Sequence, residues 1–128
     1  MIYIDSSVVL ADLFAESKSP PESLWNQDLG SSRLLVYEVW NRLAARRLTA
    51  PQRERAPALL SRINLTEMNE QALSRALIPF PISVRTLDAL HLATMEFIRG
   101  RGEMVELASY DNRLLTAAAA LGIQAVAL

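Results

Sequence analysis

Apolar and polar residues alternate along the chain in blocks whose spacing predicts strands and helices in turn. Residues 1–4 are apolar and rich in β-branched and aromatic side chains, which predicts a short buried strand. From residue 8 to 14 the apolar positions recur with helical spacing, so a helix should follow. Ser6 or Ser7 can cap this helix, although Asp5 could itself be only the cap. Asp5 therefore lies at the carboxyl end of a predicted strand.

The same order recurs along the rest of the chain. A short helix is predicted after Pro20 and Pro21, closing near Gly30. The later predicted elements are a strand at 31–35, a helix at 36–48, a helix capped by Thr49 that Pro57 should kink or restart, a weak strand at 63–68, a helix capped by Asn69, an apolar helix at 84–99, a strand at 104–108, a helix at 111–121 and a strand at 123–128. Strands that alternate with helices imply a parallel sheet covered on both faces.

The composition fits one domain with a substantial core, because 51% of the 128 residues are hydrophobic. No apolar run approaches the length of a membrane-spanning helix. Asp5 interrupts the apolar N-terminus and no basic stretch precedes it, so we expect no secretory signal and a cytoplasmic protein.

The side chains available restrict the kinds of metal site that are possible. The chain has no cysteine and one histidine, which excludes thiolate zinc sites and argues against a histidine-built metal centre. Any metal must therefore be held by oxygen, which favours Mg²⁺ or Mn²⁺. The net charge of −1 does not by itself suggest a nucleic-acid binder.

Asp88 is the most unusual acid, because it lies within the apolar helix predicted at 84–99. Burying an unpaired carboxylate costs several kcal/mol, so something must compensate for it. An ion pair with Arg85 or Arg99 is one explanation. A divalent cation shared with other acids is the other.

Asp111 repeats the pattern of Asp5, because it follows the predicted strand at 104–108 and begins a helix. The carboxyl ends of parallel strands lie at one edge of a sheet, so Asp5 and Asp111 can converge. Glu38 is predicted in the first turn of its helix, where the helix dipole alone would favour an acid. Each acid has an ordinary explanation singly, but four at equivalent element ends are harder to explain that way.

Four motifs, in this order along the chain, resemble those of the PIN domain, specifically the small single-domain VapC toxins of toxin–antitoxin pairs. Residues 16–34 and 49–80 carry no matching signature. The motifs are Ile4-Asp5-Ser6-Ser7, Tyr37-Glu38-Val39-Trp40-Asn41, Thr86-Leu87-Asp88-Ala89-Leu90-His91-Leu92-Ala93 and Ser109-Tyr110-Asp111-Asn112-Arg113.

The resemblance implies an α/β fold formed by residues 1–128 as a single PIN-like domain, a three-layer α/β/α sandwich with a central four- to five-stranded parallel sheet. It also implies a Mg²⁺- or Mn²⁺-dependent endoribonuclease that hydrolyses RNA phosphodiester bonds. Carried over by position, the catalytic and metal-binding acids would be Asp5, Glu38, Asp88 and Asp111. Ser6 or Ser109 would assist the metal or its water.

The expected partners are an RNA substrate, a cognate VapB-type antitoxin and a second copy of the chain, with no membrane. Arg42, Arg46 and Arg47 are candidates for contacting RNA phosphates or an acid of the antitoxin, although Arg42 could simply pair with Glu38. The homodimer follows from the family resemblance. An apolar patch for it could come from Leu13, Phe14, Trp25 and Trp40.

Two alternative functions stay open at this point. Another Mg²⁺-dependent phosphoryl-handling domain would need a second acid after Asp5 or a suitably placed lysine, and Lys18 lies in a predicted loop. A PIN-like module that only binds RNA or protein is the second alternative. His91, three residues after Asp88, could be a ligand, a base or a hydrogen-bonded core histidine.

Overall fold

The computed structural model describes residues 1–128 and contains a parallel β-sheet covered by helices on both faces. The strands are β1 (Ile2–Ile4), β2 (Leu29–Ser32), β3 (Asn64–Thr66), β4 (Glu106–Ala108) and β5 (Gln124–Ala125). The helices are α1 (Ser6–Leu13), α2 (Leu34–Ala44), α3 (Ala50–Leu60), α4 (Glu70–Ala76), α5 (Thr86–Gly100) and α6 (Asn112–Ala120), with a 3₁₀ helix at Glu22–Asn26. The predicted three-layer α/β/α sandwich is therefore confirmed, with five strands in its sheet.

The strand order β3-β2-β1-β4-β5 puts β1 at the centre of the sheet, and every neighbouring pair is parallel. The chain moves outward from β1 through β2 to β3, and then returns to the other side of β1 for β4. In open α/β sheets, ligands bind beyond the carboxyl ends of the strands at such a reversal point. Ile4 pairs with Ala108, so Asp5 and Ser109 leave the sheet side by side.

Alternation along β1 divides the core into two clusters. Ile2 and Ile4 belong to one cluster, which includes buried residues of α1, α2 and α3. Tyr3 belongs to the other cluster, with buried residues of α5 and α6. Successive side chains of a strand point to opposite faces, so this short apolar segment supplies core residues to both layers.

In the structure, α2 begins closer to the N-terminus than predicted, and the strand before it also has different bounds. Strand β2 covers Leu29–Ser32 rather than 31–35, because Ser32 Oγ accepts a hydrogen bond from the Leu34 N–H at 3.1 Å and the chain turns into a helix. Since α2 begins at Leu34, Glu38 lies one turn inside the helix. The prediction that it occupies the first turn was wrong, and the helix dipole explains its position less well.

The predicted restart of the helix at Pro57 does not occur. Helix α3 runs unbroken from Ala50 to Leu60, although an internal proline removes one backbone hydrogen bond. Ala56, Leu59 and Leu60 are buried on either side of the proline, and their packing offsets that cost. Thr49 caps the helix as predicted, in a reciprocal capping box with Gln52.

The apolar patch suggested for a dimer does not form at the surface. Leu13 and Trp25 are only 4% and 2% exposed and lie in the core, where the Trp25 indole N–H donates to Asp12 at 2.9 Å. Trp40 alone of that set is well exposed. No helix in the protein has the length and apolar character needed to cross a lipid bilayer.

Candidate active site

The four acids singled out in the sequence line one cavity at the carboxyl edge of the sheet. The cavity has a volume of about 580 Å³ and lies where β1 and β4 end, between α2 and the start of α5. Its walls include Asp5, Glu38, Asp88 and Asp111, together with Ser6. Four segments that are distant in sequence therefore each contribute a carboxylate to this cavity.

Asp5 is the N-cap of α1, so the interpretation of this residue as a cap is correct. Its Oδ2 accepts a hydrogen bond from the Ser7 N–H at 3.4 Å, whereas Ser6 and Ser7 lie inside the helix. The same oxygen accepts the hydroxyl groups of Ser7 at 2.5 Å and Ser109 at 2.8 Å. Asp5 is 7% exposed, and its other oxygen, Oδ1, has no hydrogen-bond partner in the chain.

Two serine hydroxyls connect the ends of β1 and β4 around Asp5. Ser7 Oγ accepts from the Tyr110 N–H at 2.9 Å, and Ser109 Oγ accepts from the Asp111 N–H at 2.9 Å. Each hydroxyl thus accepts from the β4 loop and donates to Asp5. Ser109 is buried and does not line the cavity, whereas Ser6 and Ser7 do.

Asp111 combines a structural role with a position on the cavity wall. As the N-cap of α6 it accepts hydrogen bonds through Oδ1 from the N–H groups of Arg113 at 2.9 Å and Leu114 at 3.5 Å. Its Oδ2 makes no hydrogen bond within the chain. Capping therefore fixes the direction of the side chain and leaves one oxygen for another ligand.

Glu38 is held by the only histidine. Its Oε1 accepts a hydrogen bond from His91 Nε2, and the His91 ring is 1% exposed. The predicted pairing of Glu38 with Arg42 at i+4 is not formed. His91 makes hydrogen bonds through both ring nitrogens and does not line the cavity, so it is a hydrogen-bonded core histidine.

Asp88 makes no ion pair, so the pairing predicted with Arg85 or Arg99 is not formed. Because α5 begins at Thr86 rather than at residue 84, Asp88 lies in the first turn, where the helix dipole partly stabilises an acid. Arg85, the N-cap of α5, forms no salt bridge with it, and Arg99 donates instead to the Leu121 carbonyl at 2.7 Å. Asp88 also has no hydrogen-bond partner within the chain.

The surroundings of Asp88 disfavour its negative charge. Partial burial raises the pKa of Asp88, and repulsion from Asp111, Asp5 and Glu38 raises it further, while His91 acts in the opposite direction. These acids are therefore close enough to oppose each other's charge. A cation between them would relieve that repulsion.

The donor set suits a hard divalent cation, although it is not a ready-made metal centre. Asp5, Glu38 and Asp111 each have one oxygen held by the chain and one without a partner, and carboxylate oxygens are the preferred ligands of such ions. No three acidic or histidine side chains are close enough together to hold a metal as they stand. Asp88, which no hydrogen bond restrains, is the acid whose side chain rotates at least cost.

Basic side chains surround the acids. Lys18 and Arg42 line the same cavity, and an adjoining cavity of about 430 Å³ is lined by Arg85 and Arg113 together with three of the acids. Arg46 and Arg47 line neither cavity, and the Arg46 guanidinium lies 4.2 Å from the centre of the Phe14 ring. Of the three predicted arginines, only Arg42 is therefore in the site.

Sequence reasoning missed three residues of this site. Ser7 was considered only as a helix cap, Tyr3 only as part of a strand and Lys18 only as a loop residue. Lys18 left a detectable signal, because it is the single lysine of the chain and follows the helix that begins at the first acid. Ser7 and Tyr3 left none beyond their proximity to Asp5.

Comparison with known proteins identifies the family. A family model described as PIN domain matches residues 2–120. Ribonuclease VapC35 of Mycobacterium tuberculosis is 30% identical over 130 residues, which cover 99% of this chain and 96% of that protein. Ribonuclease VapC47 of the same species is 30% identical over 129 residues, which cover 95% of this chain and 93% of that protein.

A solved structure supports the fold independently. A chain from a toxin–antitoxin complex of Klebsiella pneumoniae matches with a TM-score of 0.65 at 20% identity, covering 88% of each chain. The family resemblance predicted from the four motifs is confirmed. The match over residues 2–120, with relatives 30% identical along nearly their whole length, shows that the chain belongs to the PIN domain family, in the branch of the VapC ribonucleases.

Proposed function

We propose that this chain, acting as a single domain, is a divalent-cation-dependent endoribonuclease and the toxin of a toxin–antitoxin pair. The observation that carries the proposal is the convergence of Asp5, Glu38, Asp88 and Asp111 on one cavity, with no basic residue neutralising Asp88. The relatives named as ribonucleases add the reaction class, and one solved neighbour belongs to a toxin–antitoxin complex.

The four acids would hold Mg²⁺ or Mn²⁺ through the carboxylate oxygens that the chain leaves without partners. A bound cation would neutralise charge on the scissile phosphate and make a nearby water a better nucleophile. Ser109 keeps Asp5 in place through its hydroxyl, and Ser6 lies on the cavity wall where it can donate to a water or a phosphate oxygen. The chain therefore supplies binding, orientation and charge, and needs no nucleophilic side chain of its own.

Lys18 and Arg42 would bind the phosphates that flank the scissile bond, because they are the only cationic side chains lining the acidic cavity. We expect Lys18→Met and Arg42→Met each to raise KM for RNA by about 3- to 10-fold and to change kcat by less than about twofold. Each lost phosphate contact should reduce the slope of log KM against log salt concentration by about 0.7, as for single-stranded nucleic acid. Steady-state cleavage measured at several salt concentrations tests this.

Arg101→Met is the matched control, because Arg101 lies at the opposite end of α5 from Asp88. Its KM and salt slope should equal those of the wild type. A slope unchanged in Lys18→Met and Arg42→Met would show that neither residue contacts the RNA backbone.

The proposed partners follow from the same function. A cognate VapB-type antitoxin would block the cavity, and Arg46 and Arg47, which lie outside it, would contact acids of that antitoxin. A homodimer would use a surface other than the patch predicted from the sequence, since Leu13 and Trp25 are buried. We expect the protein to cleave RNA in the cytoplasm.

Induced expression in bacterial cells, followed by sequencing of RNA 5′ ends, tests the function directly. Wild-type protein should create new 5′ ends at a few discrete positions and arrest growth, and an antitoxin expressed with it should restore growth. Asp5→Asn should create none of these ends. New ends that are the same in both strains would arise from another nuclease, and their absence from both would overturn the proposal.

A further inference from the structure

Glu38 is connected to the centre of the sheet by two buried side chains. Tyr3, on β1, is 0% exposed and His91, on α5, is 1% exposed. Their rings pack edge to face, with centroids 5.8 Å apart and an interplanar angle of 80°. The Tyr3 hydroxyl lies 2.7 Å from His91 Nδ1, and His91 Nε2 reaches Glu38 Oε1.

The Glu38 carboxylate sets the direction of these hydrogen bonds, because it can only accept. His91 Nε2 therefore donates to Glu38, and in a neutral imidazole Nδ1 is then the acceptor of the Tyr3 hydroxyl proton. The Ser32 N–H of β2 donates to the Tyr3 hydroxyl at 3.1 Å, so the hydroxyl is an acceptor there.

The effect on Glu38 is to restrict a flexible side chain before any ligand arrives. An unrestrained glutamate near the surface samples many rotamers, and fixing it on ligand binding costs conformational entropy. Here Oε1 is held and Oε2 remains without a partner in the chain. Because Tyr3 lies on β1, which ends immediately before Asp5, this relay of hydrogen bonds from Tyr3 through His91 also connects Glu38 to the strand that leads into Asp5.

We propose that Tyr3 and His91 are positioning residues that hold Glu38 in the orientation required for divalent-cation binding. The inference rests on the proposed function, since it gives Glu38 the role of a metal ligand. It assigns His91 to the support of the site and not to its chemistry. Ligand-supporting hydrogen bonds of this type typically contribute 10- to 100-fold to metal affinity.

Isothermal titration calorimetry with Mn²⁺ on metal-free protein, without RNA, is the test. Tyr3→Phe removes only the hydroxyl and should weaken Mn²⁺ binding by about 10-fold. His91→Leu should weaken it at least as much, and His91→Gln, whose amide N–H can still donate to Glu38, should recover part of the loss. Tyr37→Phe is the matched control, because its side chain is exposed and makes no hydrogen bond, and its affinity should be that of the wild type.

A double-mutant cycle separates positioning from general destabilisation. If the relay acts through Glu38, Tyr3→Phe should not weaken Mn²⁺ binding further in a Glu38→Gln background. Urea unfolding should show the same loss of stability from Tyr3→Phe in both backgrounds. Equal loss of Mn²⁺ affinity in both backgrounds, or none in either, would overturn the relay.

The same titrations distinguish this inference from the function on which it rests. If wild-type protein fails to bind Mn²⁺ at millimolar concentration, the metal-dependent function fails and the relay with it. If wild type binds Mn²⁺ and Tyr3→Phe binds it equally well, only the relay fails.

Discussion

Replacing Asp88 by asparagine is expected to lower RNA cleavage by about 10²- to 10³-fold. Asp88 is the acid with no partner in the chain, so a bound cation is the natural counter-charge that it lacks. Removing one anionic ligand from a metal-assisted reaction costs several kcal/mol in the transition state, and each 1.36 kcal/mol corresponds to tenfold in rate. Steady-state cleavage of a defined RNA by purified wild-type and variant proteins measures the loss.

The same substitution is expected to stabilise the metal-free protein at neutral pH. Because the pKa of Asp88 is raised on folding, the folded state prefers the protonated form, and stability is lost as the pH rises through that pKa. Asparagine avoids this loss. Solvent screening and the favourable helix dipole at the start of α5 limit the gain to roughly 0.5–1 kcal/mol. Below about pH 3, where the carboxyl is largely protonated in both states, the difference should disappear.

Asp28→Asn provides the matched control, because Asp28 precedes β2 at the opposite edge of the sheet and its side chain is 73% exposed. Its cleavage rate should equal that of the wild type. Urea unfolding at several pH values supplies the stability comparison. Full cleavage by Asp88→Asn would remove Asp88 from the catalytic site, and a variant less stable than the wild type at neutral pH would show that other contacts of Asp88 outweigh the repulsion.

The convergence of Asp5 and Asp111 was predictable because it depends on local signals and one rule of sheet geometry. Each acid follows a short apolar run and begins a helix, and parallel strands end at the same edge. The structure adds the register, Ile4 beside Ala108, which makes Asp5 and Ser109 neighbours. Asp88 was identifiable for a different reason, since the sequence pattern placed a carboxylate inside an apolar helix, although the structure puts it in the first turn of α5.

The hydrogen bonds behind the acids were not predictable from the sequence. Tyr3 and His91 are 88 positions apart, and neither the strand pattern nor the helix pattern shows that their polar atoms meet. Glu38 was placed in the first turn of α2 because the apolar pattern did not reveal that helix start. The residue at which a helix or strand begins can depend on a single hydrogen bond, such as that between Ser32 and Leu34. Which face of a helix or strand is buried depends on many residues, so the sequence predicts it more reliably.

Chelation of divalent cations is expected to reduce RNA cleavage to the background rate, and addition of Mg²⁺ or Mn²⁺ should restore it. Without a cation, the four carboxylates oppose entry of the polyanionic RNA backbone despite Lys18 and Arg42 on the cavity wall. Metal binding and RNA binding should therefore be coupled. The measurement is cleavage after exhaustive EDTA treatment, followed by titration of each cation. Activity that survives chelation would exclude a metal-dependent reaction.

Thermal stability should reveal the same cation independently of RNA. A ligand that binds only the folded state stabilises it by RT ln(1 + [L]/Kd), which is about 2.7 kcal/mol when the ligand concentration is 100 times Kd. Wild-type Tm should therefore rise steadily with Mn²⁺ concentration. Asp88→Asn begins from a slightly higher Tm in the absence of metal and should gain less from Mn²⁺, because both the repulsion and one ligand have been removed. When Tm is plotted against Mn²⁺ concentration, the curves of the wild type and Asp88→Asn should therefore cross. Parallel curves would show that the bound cation lies away from Asp88.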